Sequence, residues 1–109
     1  MDADRGNPLY SNRAEDLEVR EAIDKFVVSL AERIDRIQDA EARGDFKQIA
    51  ELCAPLVGEA EHLGFSPLAR MAEVVGACAD QEKSEETHQQ LLGLTGVAHR
   101  IRLGHRGAV

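Results

Sequence analysis

Apolar residues recur along most of this chain at alternating spacings of three and four, the pattern of helices that each bury one face. From Asp16 to Arg43 the stripe is Val19, Ile23, Phe26, Leu30, Ile34, Ile37 and Ala40, with charged residues opposite. This predicts one long helix or two nearly collinear ones, with any break near Val28 and Ser29, the weakest helix-forming stretch of the run. Gly44 suits the position just past a helix end, and Asp45 with Gln48 three residues on forms a capping box that restarts the chain. The second helix runs to about Leu63, burying Phe46, Ile49, Leu52, Cys53, Leu56, Ala60 and Leu63, and stops at Gly64. Pro55 lies inside it. An interior proline removes a backbone hydrogen bond and crowds the carbonyl of Glu51, costing about 3 kcal/mol in a straight helix, so a kink or irregular turn is expected there.

Ser66 reads as an N-cap with Pro67 at a favourable first position, followed by Leu68, Met71, Ala72, Val75, Cys78 and Ala79 on one face. Ser84, with Glu85 and Glu86 in the first turn, opens a last helix whose stripe is Leu91, Leu94, Val97, Ala98 and Ile101 and which fades near Gly104. No hairpin turn lies between alternating runs, so no strand competes. Residues 1–15 lack periodicity and read as an N-terminal arm docked by Leu9 and Tyr10; 16–104 form the helical body and 105–109 a C-terminal tail. Four amphipathic helices with short connections predict an all-α, up-and-down four-helix bundle.

Composition narrows the function classes. The chain has 109 residues, enough for one core, and its aromatic content of 4% with no Trp suits helix packing built on Leu, Ile, Val and Ala. Acids outnumber Lys and Arg by 20 to 13, a net charge of -7, which argues against nucleic acid as a partner. The charge is divided: residues 1–94 carry -10, and Arg100, Arg102 and Arg106 give +3 beyond, cations that favour a helix C-terminus. No run approaches the roughly 18 consecutive apolar residues of a membrane span, and no secretory leader pattern opens the chain, so a cytoplasmic protein is expected. Cys53 and Cys78 stand in apolar contexts and read as buried reduced thiols.

The usual catalytic constellations are missing from the sequence: no phosphate-binding glycine loop, no Cys-x-x-Cys, no His-Glu-x-x-His and no Gly-x-Ser-x-Gly. His62, His88, His99 and His105 are dispersed, so neither metal nor cofactor is expected.

The stretch from Leu52 to Phe65 resembles the active helix of histidine-containing phosphotransfer (HPt) domains, whose pattern is Leu-Ala-His-x-Leu-Lys-Gly followed by Gly-Phe. Leu52, Leu56, Gly58, Gly64 and Phe65 keep that register. The segment Ala40 to Asp45, the Pro8 to Ser11 start and the basic last helix are similar to a small-protein branch of the same family. The resemblance implies a four-helix bundle that docks a response-regulator receiver domain or a sensor histidine kinase in a phosphorelay. It also exposes two departures. Ala54 stands where the family has its phospho-accepting histidine, and Val57 where it has the adjacent lysine. A methyl group cannot take a phosphoryl group, and the cation that would hold it is gone.

By helical angle, Lys47, Glu51, Ala54, Gly58, Glu61 and His62 share the face on which the family docks receivers. The resemblance therefore implies a non-enzymatic pseudo-phosphotransfer protein that binds without carrying phosphate, a role played by substituted HPt proteins that inhibit relays. Two alternatives remain open. His62, about 80° round the helix and ~12 Å along it from Ala54, offers a shifted acceptor. Ala54 and Gly58 offer a small-residue face that packs against the arm or against a second copy in a purely structural module.

Overall fold

A computed structural model describes residues 7–107, with side chains through His105. Four helices follow one another: α1 (Arg20–Ala42), α2 (Phe46–His62), α3 (Ser66–Asp80) and α4 (Ser84–Gly107). Each packs on its neighbours in sequence, most extensively α2 on α3, and α4 returns to α1 to close the ring. Among the described residues the backbones of diagonal helices do not approach closely. This is the expected all-α four-helix bundle, with three-residue connections that leave adjacent helices no option but to run antiparallel. No strand occurs among the described residues.

The core is the predicted set of stripes. Leu30 and Ile37 of α1, Ile49 and Leu56 of α2, Leu68 and Val75 of α3, and Leu94 and Ile101 of α4 are all inaccessible to solvent or nearly so. Each is a branched aliphatic facing the shared axis, where removal from water is the main driving force for assembly. Phe26 of α1 stacks on Phe65 of the α2–α3 turn with centroids 5.8 Å apart, and the Arg33 guanidinium lies 5.7 Å over the Phe26 ring. Ile23, Phe46, Leu52, Met71 and Val97, expected in the stripes, are only partly buried at the core's edge.

All three turns use one backbone device, in which a left-handed residue lets two successive N–H groups satisfy the last carbonyls of the preceding helix. After α1, Gly44 (φ +67°) donates to Glu41 O and Asp45 to Ala40 O. After α2, Gly64 (φ +84°) donates to Glu61 O and Phe65 to Ala60 O. After α3, the same role falls to Glu82 (φ +54°), which donates to Ala79 O while Lys83 donates to Cys78 O. The first turn then restarts with half of the expected capping box: the Asp45 carboxylate accepts from Gln48 N at 3.0 Å, but Asp45 N donates to Ala40 O and the Gln48 side chain accepts from Arg43 instead of closing the box.

Several local expectations are corrected. Helix α1 begins at Arg20 instead of Asp16, because Asp16 is engaged in a turn: its side chain accepts from Glu18 N at 3.0 Å and pairs with Arg13 at 2.6 Å. Such local side-chain bonds compete with helix at its start. No break occurs near Val28. Val27 is buried there, and Ser29 donates back to Phe26 O at 2.8 Å, within the helix. Helix α2 also continues through Pro55, whose exposed position leaves the freed Glu51 carbonyl open to water. Phe65, not Ser66, occupies the cap of α3, and Ser66 makes no capping bond. Finally, α4 runs to Gly107, so the predicted tail from 105 is helical over its first residues; 1–6 of the arm and 108–109 of the tail lie outside the described residues.

Candidate functional site on the outer face of helix α2

Helix α2 buries Ile49, Cys53, Leu56 and Ala60 and thereby turns the opposite face to solvent. Lys47, Glu51, Ala54, Gly58, Glu61 and His62 follow one another at spacings of one helical turn or less, and all six are exposed. The structure thus brings every predicted site residue onto one strip. A Cβ built at Gly58 would meet no atom within 4 Å, so the middle of the strip is open as well as small. The side chains of Lys47, Glu51, Glu61 and His62 form neither ion pairs nor hydrogen bonds with the described residues.

The described part of the arm leaves Ala54 and Gly58 free and bonds only the His62 end of the strip. Leu9 N donates to Arg100 O and Asn12 N to Gly64 O, both at 2.9 Å, while Arg100 Nε reaches back to Asn7 O at 2.9 Å. Ser11 Oγ donates to Leu63 O, and Arg13 donates to His62 O at 2.9 Å. These bonds strap the arm across the end of α2 and onto α4, away from Ala54 and Gly58. Ser11 and Arg13 had no periodic signal to announce them, and Arg100, expected simply to favour a helix end, is one of the arm's anchors. Leu9 is partly buried as expected, and Tyr10, though 59% exposed, lays its ring against Gly104 of α4. Arg13 also holds the Asp16 carboxyl below its usual range, first through their hydrogen bond, with the Glu18 amide adding to the effect.

The strip's chemistry is limited by what flanks it. Val57 packs against the core and supplies no cation beside Ala54. The nearest cation on the strip, Lys47, lies two turns away, ~10 Å along the axis. Glu59 is drawn to the α1 side, where it pairs with Arg33. Of the other histidines, His88 Nδ1 sits 2.9 Å from Glu41 and His105 Nδ1 3.7 Å from Asp24, bridging α4 to α1 at its two ends. His99 is exposed on α4. Among the described residues no three His, Cys, Asp or Glu side chains gather as metal ligands. Cys53 is buried, and desolvation pushes its thiol up to about 11, so it is no nucleophile at neutral pH. Cys78, expected to be buried, is only partly so, and neither cysteine is in a disulfide.

What the strip can do chemically is bind: it is exposed, shallow at Ala54 and Gly58, and edged by charge of both signs. No family model, curated protein or solved structure matches this chain. Among the described residues no helix is long and apolar enough to cross a membrane.

Proposed function

We propose that this chain is an HPt-like docking module of a cytoplasmic phosphorelay, which binds a receiver or histidine-kinase domain through the outer face of α2 and carries no phosphate. The observation that supports this reading best is the placement of Ala54. The residue aligned with the family's phospho-acceptor lies mid-strip on an exposed helix face, with open Gly58 one turn on. A partner built to approach an imidazole at that point can come close to the backbone, yet finds a methyl group with no reactive lone pair. The complex then occupies the partner without turning over, which is inhibition by competition or scaffolding.

The decisive experiment is calorimetric titration of the protein against the receiver and kinase domains of its source organism. Micromolar binding to at least one is expected, and Gly58→Arg, which projects a long cation into open space, should weaken it by about tenfold or more without lowering the thermal unfolding temperature, since arginine is the better helix former. Failure of every receiver and kinase domain to bind would overturn the reading. So would transfer of label from a phosphorylated receiver to His62, which would make this an active carrier. Dimerisation abolished by Gly58→Arg, without partner binding, would point to self-association through the same face.

A further inference from the structure

We propose that the outer face of α1 and α4 is the interface of a two-fold homodimer. Three side-chain approaches define the seam between these helices: Asp24 to His105 at 3.7 Å, Gln38 to Thr95 at 3.2 Å and Glu41 to His88 at 2.9 Å. The residues one turn from the seam contacts are turned to solvent. On α1 they are Val28, 76% exposed, and Asp35. On α4 they are Leu92, 56% exposed, and His99, with half-buried Leu103 one turn further on.

Charge decides what covers this face. Helix α4 contains no Asp or Glu from Thr87 to His105 and brings His99 and Arg102 to the face, whereas α1 brings Asp35 and Asp39. The side chains of Asp35, His99 and Arg102 make no ion pair or hydrogen bond among the described residues. A face that is acidic along one helix and acid-free along its neighbour is complementary to itself. A two-fold axis parallel to the helices lays α1 of each copy over α4 of the other, so each acid meets a cation and every contact is made twice. Rotation about that axis leaves heights unchanged, and the seam contacts therefore also set the register between copies. Val28 of one copy comes level with Leu103 of the other, and Asp35 comes level with Gly96, within a turn of His99. A Cβ at Gly96 would meet no atom within 4 Å, so the second copy can approach closely there. A face ~34 Å long and two helices wide offers ~700 Å² per copy, near the ~800 Å² per partner of a standard interface. It shares no residue with the α2 strip, so the dimer stands or falls independently of partner docking.

The test is sedimentation equilibrium of the full chain from about 5 to about 200 µM, in ~50 mM and ~500 mM salt. A dimer with a micromolar Kd is expected at low salt, about tenfold weaker at high salt. Val28→Glu should weaken it by about tenfold or more, as should Asp35→Lys and His99→Glu, each of which sets like charges together twice per dimer. The double variant Asp35→Lys with His99→Glu exchanges the two signs and should recover the wild-type Kd to within about threefold. Gly58→Arg should leave it unchanged. A monomer throughout that range, a dimer indifferent to salt and to Val28→Glu, a double variant no tighter than the single ones, or a dimer lost in Gly58→Arg would each overturn the proposal.

Discussion

Substituting the left-handed residue of each of the three turns separates the cost of backbone conformation from the cost of displacing the arm. Gly44 and Gly64 have similar φ, but a Cβ at position 44 meets nothing within 4 Å, whereas at position 64 it would lie 2.9 Å from Arg13 N and closer still to the Ser11 and Asn12 side chains. Gly44→Ala should therefore cost only the left-handed penalty of an L-residue, about 1 kcal/mol. Gly64→Ala carries that penalty and also forces the arm off. The Ser11–Leu63, Asn12–Gly64 and Arg13–His62 hydrogen bonds are worth ~0.5–1.5 kcal/mol each, partly recovered from water at this surface, so the total should reach ~2–4 kcal/mol.

Glu82 inverts the test, because the wild-type residue already pays for φ +54°. Glu82→Gly should stabilise by ~0.5–1 kcal/mol, the relief of backbone strain less the added chain entropy of glycine. Urea unfolding reads all three, and each kcal/mol corresponds to ~4–8 °C in Tm for a domain near this size. Hydrogen exchange at the Asn12 amide, bonded to Gly64 O, should quicken in Gly64→Ala alone. If Gly64→Ala and Gly44→Ala fall within about 0.5 kcal/mol of each other and Asn12 exchange is unchanged, the arm contributes nothing and the reasoning fails.

Two further outcomes follow from the core. Thr87 is fully buried, and its hydroxyl has no hydrogen-bond partner among the described residues, so Thr87→Val should raise stability by ~1 kcal/mol; a loss of stability by urea titration would show that the hydroxyl is satisfied. Because burial favours the protonated Cys53 thiol, the unfolded chain ionises first from its ordinary value of 9.0, and stability should fall as pH rises toward about 11. Unfolding curves of the wild type and Cys53→Ala, compared across that window, should converge. Alkylation at pH 8 should mark Cys78 well before Cys53.

Much of the fold was legible because a helix repeats every 3.6 residues and its apolar stripe is written directly in the chain. Leu30, Ile49, Leu68 and Leu94 are each identified as core from spacing alone, and the turns at Gly44 and Gly64 from glycine's tolerance of positive φ. The outer strip of α2 was legible for the same reason: fixing which face is buried fixes which is exposed. That Ala54 lies exposed among Lys47, Glu51, Gly58, Glu61 and His62 follows from the period of one helix.

What spacing could not reach depends on contacts between distant segments. The third turn carries no glycine, and Glu82 takes the left-handed conformation because α4 must turn back over α3 for the ring to close. Propensity marked Val28 as a possible break and Pro55 as a kink or irregular turn, yet both stretches are continuous helix, since burying Val27 on one and leaving Pro55 on the wet side of the other outweighs a local cost of ~3 kcal/mol or less. The course of the arm, with Ser11 and Arg13 strapped to the end of α2 and Leu9 to α4, rests on hydrogen bonds spanning 49 residues or more, which leave no periodic trace in the sequence. The sequence by itself determined the helices, the core faces and the small methyl side chain of Ala54 on the outer face of α2. Only the tertiary structure decided that the described part of the arm leaves Ala54 and Gly58 open and that α4 returns to lie beside α1, because both depend on where segments remote in the chain meet.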